Sequence, residues 1–351
     1  MTFRAHVLGS AAGGGLPQWN CGCENCNLAR AGTIPAQTQS SLALSANGTE
    51  WAVLNASPDI RDQMLKAPPL HPSDLRKSPL RSVLLTNGDI DHIAGLLTLR
   101  EQQAFTLFAT PEIHRVLAEN PIFNALHPDF VKRVSIELGC EVEIAPGLTA
   151  QLFPVPGKVP LYLEGAEVQT DLEGEQTVGV HLRAGDKNAF YIPGCAAMRD
   201  TLAARLDGAD AVFFDGTLWQ DDEMVRAGLS QKTGRRMGHM SMSGPDGSIA
   251  AFEDIKIAKK VFVHMNNTNP VFRPMSEERK AVEAAGWIIA QVGGLLILGP
   301  PLGQDGIKGS RKVALSYFFL SSSQNTEFHR PLGCVPACRY ERAPAPWKYL
   351  P

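Results

Sequence analysis

One short stretch constrains this chain more than any other: Val83-Leu84-Leu85-Thr86-Asn87-Gly88-Asp89-Ile90-Asp91-His92. The apolar run Val83-Leu84-Leu85 reads as a buried strand. The residues that follow, Ile93-Ala94-Gly95-Leu96-Leu97-Thr98-Leu99, have an apolar pattern that can open a helix. Asp89, Asp91 and His92 therefore fall in a strand-to-helix turn, where loop side chains can converge on a ligand. Taken alone, an Asp-His pair reads most simply as a polar turn with a hydrogen-bonded histidine. Other segments argue against that simpler reading.

Cys21-Gly22-Cys23-Glu24-Asn25-Cys26 packs three of the seven cysteines into six positions. The N-terminus enters a strand directly and lacks the apolar core of a signal peptide, so a cytoplasmic location is expected. In a reducing compartment such a cluster points to metal rather than disulfides. Three thiolates at this spacing can hold three corners of a zinc tetrahedron, with Zn–S distances of about 2.3 Å. Three buried or redox cysteines are the alternative, but a reactive thiol works as one exposed sulfur beside a base. The loop after His264 is expected to supply the fourth ligand, Asn267 or a water. With no open position the site reads as structural. Cys140 and Cys195 are expected in the core.

Two strand ends carry further candidates. Asp215 closes Ala211-Val212-Phe213-Phe214, as a metal ligand or a carboxylate behind one. Capping the next turn is an equally good reading of that segment. His264 closes Val261-Phe262-Val263 and precedes the amide-rich Met265-Asn266-Asn267-Thr268-Asn269-Pro270. His239 lies in the glycine-containing loop Arg236-Met237-Gly238-His239-Met240-Ser241.

Short apolar strands alternate with helical stretches, which predicts an α/β layered domain. Asn47-Gly48 between Leu42-Ala43-Leu44 and Trp51-Ala52-Val53-Leu54 signals a hairpin. Thr110-Pro111-Glu112 reads as a helix cap with proline at the first helical position. Gly9-Ser10-Ala11-Ala12-Gly13-Gly14-Gly15 matches no phosphate-loop spacing and reads as a turn with unusual backbone angles, passing close to a metal site. The chain is 351 residues long and 44% hydrophobic, enough for a sizeable core. A formal net charge of −3 leaves no basic footprint for nucleic acid. No segment approaches the roughly 20 apolar residues of a membrane span. From Gln291 the chain turns basic, with seven Lys/Arg against three Asp/Glu. Residues 1–290 are therefore expected as the folded domain and 291–351 as an atypical, disordered tail.

Together these segments resemble the pyrroloquinoline quinone (PQQ) biosynthesis protein B family. The resemblance rests on Leu8 to Gly15 with Pro17-Gln18-Trp19-Asn20-Cys21, on Thr38-Gln39-Ser40-Ser41, and on Asn55-Ala56-Ser57-Pro58-Asp59-Ile60-Arg61. It continues through Asp91-His92 to Glu101, Asp215-Gly216-Thr217-Leu218-Trp219, Met237-Gly238-His239 and His264 to Pro270. It implies a metallo-β-lactamase-like αβ/βα four-layer sandwich of two mixed sheets. Thr86 to His92 is similar to that superfamily's T-H-x-H-x-D-H signature, with Asn87 and Asp89 standing where its first two histidines stand. The resemblance also implies a role in making PQQ from a peptide-derived Glu-Tyr precursor. Descriptions of the family vary between a hydroxylase and a carrier of the cofactor toward the periplasm.

With the first pair of histidines gone, one site is expected, built from His92, His264 and a carboxylate from Asp91 or Asp89, with Asp215 nearby. Two histidines and one carboxylate with open positions suit non-haem Fe(II) and O₂. Zinc accepts the same ligand types. His239 and Asp89 are the expected catalytic groups, His239 handling protons beside a phenol or quinone. A soluble carrier and a single-zinc hydrolase are the competing readings. The oligomeric state is open, a homodimer included.

Overall fold

The computed structural model describes residues 2–165 and 169–299, and the backbone of 318–319. Among the described residues fifteen strands form two sheets. They are β1 Phe3–Gly9, β2 Ser41–Ser45, β3 Trp51–Leu54, β4 Leu80–Leu84, β5 Phe105–Ala109, β6 Val131–Ser135, β7 Glu141–Ala145, β8 Leu148–Pro154, β9 Val178–Ala184, β10 Lys187–Ile192, β11 Ala211–Asp215, β12 Lys260–Val263, β13 Trp287–Ile289, β14 Leu295–Leu298 and β15 Phe318–Phe319. One sheet runs β15-β14-β1-β2-β3-β4-β5-β6 and the other β13-β12-β11-β10-β9-β8-β7.

Both sheets are mixed. The antiparallel β1-β2-β3 hairpins feed the parallel run β3-β4-β5-β6. In the second sheet β7 to β10 are antiparallel and β10 to β13 parallel. The Asn47-Gly48 turn forms as expected: Asn47 Oδ1 accepts from Thr49 and Glu50 N–H, and Gly48 takes φ 79°. Thr110 Oγ1 caps the helix Pro111–Glu119 by accepting from Ile113 N–H. The helix expected after His92 is a single turn at Ile90–Ile93, continued by a 3-10 turn at Ala94–Leu97.

Strand alternation builds the layers, because successive side chains point to opposite faces. Phe3, Ala5, Val7, Leu42, Leu44, Ala52 and Leu54 meet Leu152, Leu182, Phe213, Val261 and Val263 between the sheets. Ala43, Val53 and Val83 turn outward against Ile60, Ile113 and Leu117. Val212, Phe214, Phe262 and Trp287 turn outward against Leu202, Phe252 and Val282. The result is the expected sandwich of helices, sheet, sheet and helices. The parallel strands β4, β11 and β12 end on the candidate loops, where open α/β sheets bind ligands. No helix of the described residues is long and apolar enough to cross a membrane.

The boundary expected at residue 290 is corrected. Leu295–Leu298 pairs antiparallel with β1, with Phe3 opposite Leu298 and Ala5 opposite Leu296. Val7 N–H donates to Gly294 O at 2.8 Å, and Gly293 N–H donates back to Val7 O at 2.9 Å. Val292 N–H donates to Gln37 Oε1. An apolar four-residue run thus covers what would otherwise be an open edge of β1. The rest of the expected tail lies outside the described residues, apart from the two-residue strand β15. Leu296 is 1% exposed. Leu296→Ala should therefore cost about 2–4 kcal/mol, read as a shift in urea midpoint. An unshifted midpoint would show that this strand does not belong to the fold.

Candidate metal centre

The turn after β4 is pinned before it reaches its ionisable groups. Asn55, with φ 59°, donates through Nδ2 to Thr86 Oγ1 at 3.0 Å and accepts from Thr86 N–H at 2.9 Å. Asn87 Oδ1 then accepts from Asp89 N–H at 3.0 Å, and Asp89 O accepts from His92 and Ile93 N–H. Gly95 lets the turn press onto the preceding loop: a Cβ there would lie 2.0 Å from Ser57 O. Asp91 packs against the glycine-rich loop after β1, whose Gly14 and Gly15 take φ 91° and 70° as anticipated.

Asp91, His92 and His264 converge. His92 Nδ1 lies 2.7 Å from Asn87 Oδ1. An amide oxygen only accepts, so Nδ1 carries the proton and Nε2 keeps its lone pair. That Nε2 is buried, has no hydrogen-bond partner among the described residues, and lies 3.8 Å from Asp91 Oδ2. Burial pushes the His92 pKa down to about 4 against the pull of Asp91, so the ring is neutral. An orphaned imidazole nitrogen aimed at a carboxylate is the donor arrangement a metal cation satisfies.

His264 completes the set from the other sheet. It follows β12 directly, in the left-handed region at φ 57°. Its Nε2 lies 3.1 Å from Asp91 Oδ2 and its Nδ1 3.0 Å from Thr217 Oγ1. Burial lowers its pKa, but Asp91, Asp215 and Asp89 outweigh this and hold it above the usual value. Burial likewise opposes ionisation of Asp91, yet His92 and His264 hold it well below the carboxylate range.

Asp215, His239 and His264 form a second group whose ligand atoms lie close enough to hold a metal ion, and in this structure hydrogen bonds engage the Asp215 carboxylate. Its Oδ1 accepts from Thr217 N–H at 3.0 Å and Thr217 Oγ1 at 2.6 Å. Its Oδ2 accepts from Cys195 N–H at 2.9 Å and lies 2.7 Å from His239 Nδ1. These bonds fill the roughly four lone-pair sites of a carboxylate. Burial opposes its charge, but His239, His264 and Thr217 keep it ionised. Asp215 therefore orients its neighbours. It fixes the His239 proton on Nδ1 and takes the Thr217 hydroxyl proton, so Thr217 accepts from His264 Nδ1–H. The His239 and His264 rings stack with centroids 5.3 Å apart, and His92 meets His264 edge-on at the same separation.

Asp89 joins none of the groups of ligand atoms that could hold a metal ion among the described residues. Its backbone starts the helix Ile90–Ile93, and its side chain makes no capping hydrogen bond there. Burial and Asp91 raise its pKa, while Lys158, His239 and His264 pull it back. The roles of Asn87 and Thr217 as orienters were not foreseen from sequence. Asp-x-Thr after an apolar strand was the available signal for Thr217.

The three thiols also converge. The Asn267 side-chain amide sits among them, with Nδ2 3.2, 3.4 and 3.3 Å from the sulfurs of Cys21, Cys23 and Cys26. Turning that amide end for end presents Oδ1 to the sulfurs, so the pocket fits a four-coordinate cation. Asn25 Nδ2 donates to Asn267 O at 2.9 Å and Asn269 O at 2.8 Å, fixing the loop. Burial, with the neighbouring sulfurs, pushes Cys23 up to about 11. Burial also acts to raise Cys21, but its hydrogen bonds to Cys23, Cys26 and Asn267 prevail and lower it. Cys195 is buried as expected. Cys140 is exposed and not in the core, because it follows the Gly139 turn before β7.

A family model of the β-lactamase superfamily domain matches residues 50–265. The coenzyme PQQ synthesis protein B of Rhizobium meliloti (strain 1021) is 56% identical over 293 residues, covering 83% of this chain and 96% of that protein. That of Ruegeria pomeroyi is 57% identical over 292 residues, covering 83% and 99%. A crystal structure of Zn(2+)-bound PqqB from Methylobacterium extorquens superposes with a TM-score of 0.82 at 54% identity, over 85% of this chain and all of that one. A diphosphatase of the PhnP family, at TM-score 0.60 and 21% identity, shares the fold. The chain belongs to the coenzyme PQQ synthesis protein B family of the β-lactamase superfamily.

Proposed function

We propose that the protein acts in PQQ biosynthesis as a mononuclear non-haem Fe(II)-dependent hydroxylase of the tyrosine-derived ring of a Glu-Tyr precursor, in the cytoplasm. The observation that carries this is the donor set. Nε2 of His92 and of His264 and the carboxylate of Asp91 face one another, while Asn87 and Asp89 supply no imidazole for a second metal. Those three residues would hold the metal, and a ferrous ion on such a set supplies activation of O₂. Zinc fits the three thiols with Asn267, and the Methylobacterium extorquens relative is described as Zn(2+)-bound.

The protein's own groups do the rest. Asn87 and Thr217 set both ligating rings with Nε2 toward Asp91. Asp215 fixes His239 Nδ1–H, which leaves His239 Nε2 to take or return a proton at the phenol. The apolar residues between the sheets exclude water from one side of the centre.

Three outcomes follow. Anaerobic reconstitution with Fe(II) should give Glu-Tyr-dependent O₂ uptake, abolished with metal loss in His264→Ala. His239→Ala should keep the metal and slow turnover by about 10²-fold or more. If iron-loaded protein shows no substrate-dependent O₂ uptake, the soluble-carrier reading takes its place.

Cys23→Ser should lose the zinc and lower the melting temperature, because structural zinc binding is folding free energy. Unchanged zinc content and melting temperature would remove the thiol site from this account.

Metal loading of the His92-His264-Asp91 set should release one proton. Asp91 is already ionised and His92 already neutral near pH 6, so only His264, held protonated by Asp91, must give one up. Affinity should then rise about tenfold per pH unit below the His264 pKa and level off above it. Calorimetry in buffers of different ionisation heat, with the thiol site already filled, reads this number. Zero or two protons would contradict it.

A further inference from the structure

A second group of charges beside the metal ligands has no part in the chemistry above. Lys158 follows β8, Glu164 follows the turn Leu161–Leu163, and Lys232 and Arg236 lie in the loop that carries His239. The Glu164 carboxylate, 7% exposed, meets Lys158 Nζ at 3.0 Å, Arg236 Nη2 at 3.0 Å and Lys232 Nζ at 4.0 Å. Burial opposes its charge, but Arg236 and Lys158 prevail and keep it ionised. One carboxylate facing three cations leaves an excess of positive charge. In addition, Arg236 Nη1 is buried with no hydrogen-bond partner among the described residues. The Arg236 side chain as a whole is 37% exposed, so an anion from outside can reach it and complete the shielded donor.

The group adjoins the metal centre. A Cβ on Gly238 would lie 3.3 Å from Lys158 Cγ, and Gly238 immediately precedes His239. Lys158 O accepts from Thr177 Oγ1 at 2.9 Å, and Thr177 bridges to Asn87. The charge of Lys158 reaches Asp89. Lys158 and Arg236 are thus tied to both loops that supply the site.

We propose that Lys158 and Arg236 form a carboxylate-binding subsite of the metal centre, with Glu164 holding the two cations in place until substrate carboxylate arrives. Arginine offers a planar fork to a carboxylate and lysine a point charge. The assignment deepens the reading above and rests on its precursor, which carries carboxylates. A phosphate ester could satisfy the same cations, so the test includes that source.

Calorimetry on the metal-loaded full chain would use three probes: Glu-Tyr, glutarate and inorganic phosphate. Glu-Tyr and glutarate should bind, and Arg236→Gln should weaken both about tenfold or more. Glu164→Gln removes the internal competitor and should tighten both about threefold or more. Damage to the fold cannot give those opposite signs. If glutarate binds in this charge-dependent way but Glu-Tyr does not bind, the subsite stands and the precursor reading falls. If Glu-Tyr binds and Arg236→Gln leaves it unchanged, the subsite is wrong and the precursor reading stands. Weaker binding in both variants, binding of phosphate alone, or no bound anion would also overturn the subsite.

Discussion

The contact between His264 Nε2 and Asp91 Oδ2, at 3.1 Å, is the interaction on which the rest of the site depends. Its partners are 173 residues apart, in the turn that follows β4 of one sheet and in the residue that follows β12 of the other. It exists only when the two sheets are stacked in one register, so the apolar faces between them position the chemistry. An ionised carboxylate and an imidazolium buried together are stable only with further hydrogen bonds around them. Thr217, Asp215 and His239 supply those bonds on the His264 side. His92, held by Asn87, stands on the other.

The loop after His264 joins this centre to the thiol pocket. Met265 N–H donates to Ser10 O, Met265 O accepts from Ala12 N–H, and Asn266 N–H donates to Thr217 O. Three residues beyond His264, Asn267 inserts its amide among the three sulfurs. A cation held there would brace the loop that carries a ligand of the other site. Such bracing would matter if His264 ligates a metal, since a ligating ring must be held to a few tenths of an ångström.

Parts of this were legible in the sequence. Asp91 and His92 were visible because a strand end and a turn bring adjacent residues to one place. His264 and Asn267 were visible because an apolar strand stops at an amide-rich loop. The sandwich followed from the order of strands and helices and from the family resemblance. Which of its two readings Asp215 follows, ligand or carboxylate behind one, was not legible, because it depends on how many donors converge: Cys195 and His239 reach it from 20 and 24 residues away. The Lys158-Glu164-Arg236 group spans 72 residues between Glu164 and Arg236 and leaves no local pattern. The strand Leu295–Leu298 was hidden by its glycine and proline neighbours, and its partner lies at the opposite end of the chain. Only pairing with β1 shows that it belongs to the sheet.

The central claim is one metal, on His92, His264 and Asp91. Mössbauer spectroscopy of protein loaded anaerobically with isotopically enriched iron tests it most directly. The account predicts a single high-spin ferrous site per chain that disappears when either histidine is replaced. Two coupled irons per chain, or iron that persists without His264, would contradict it.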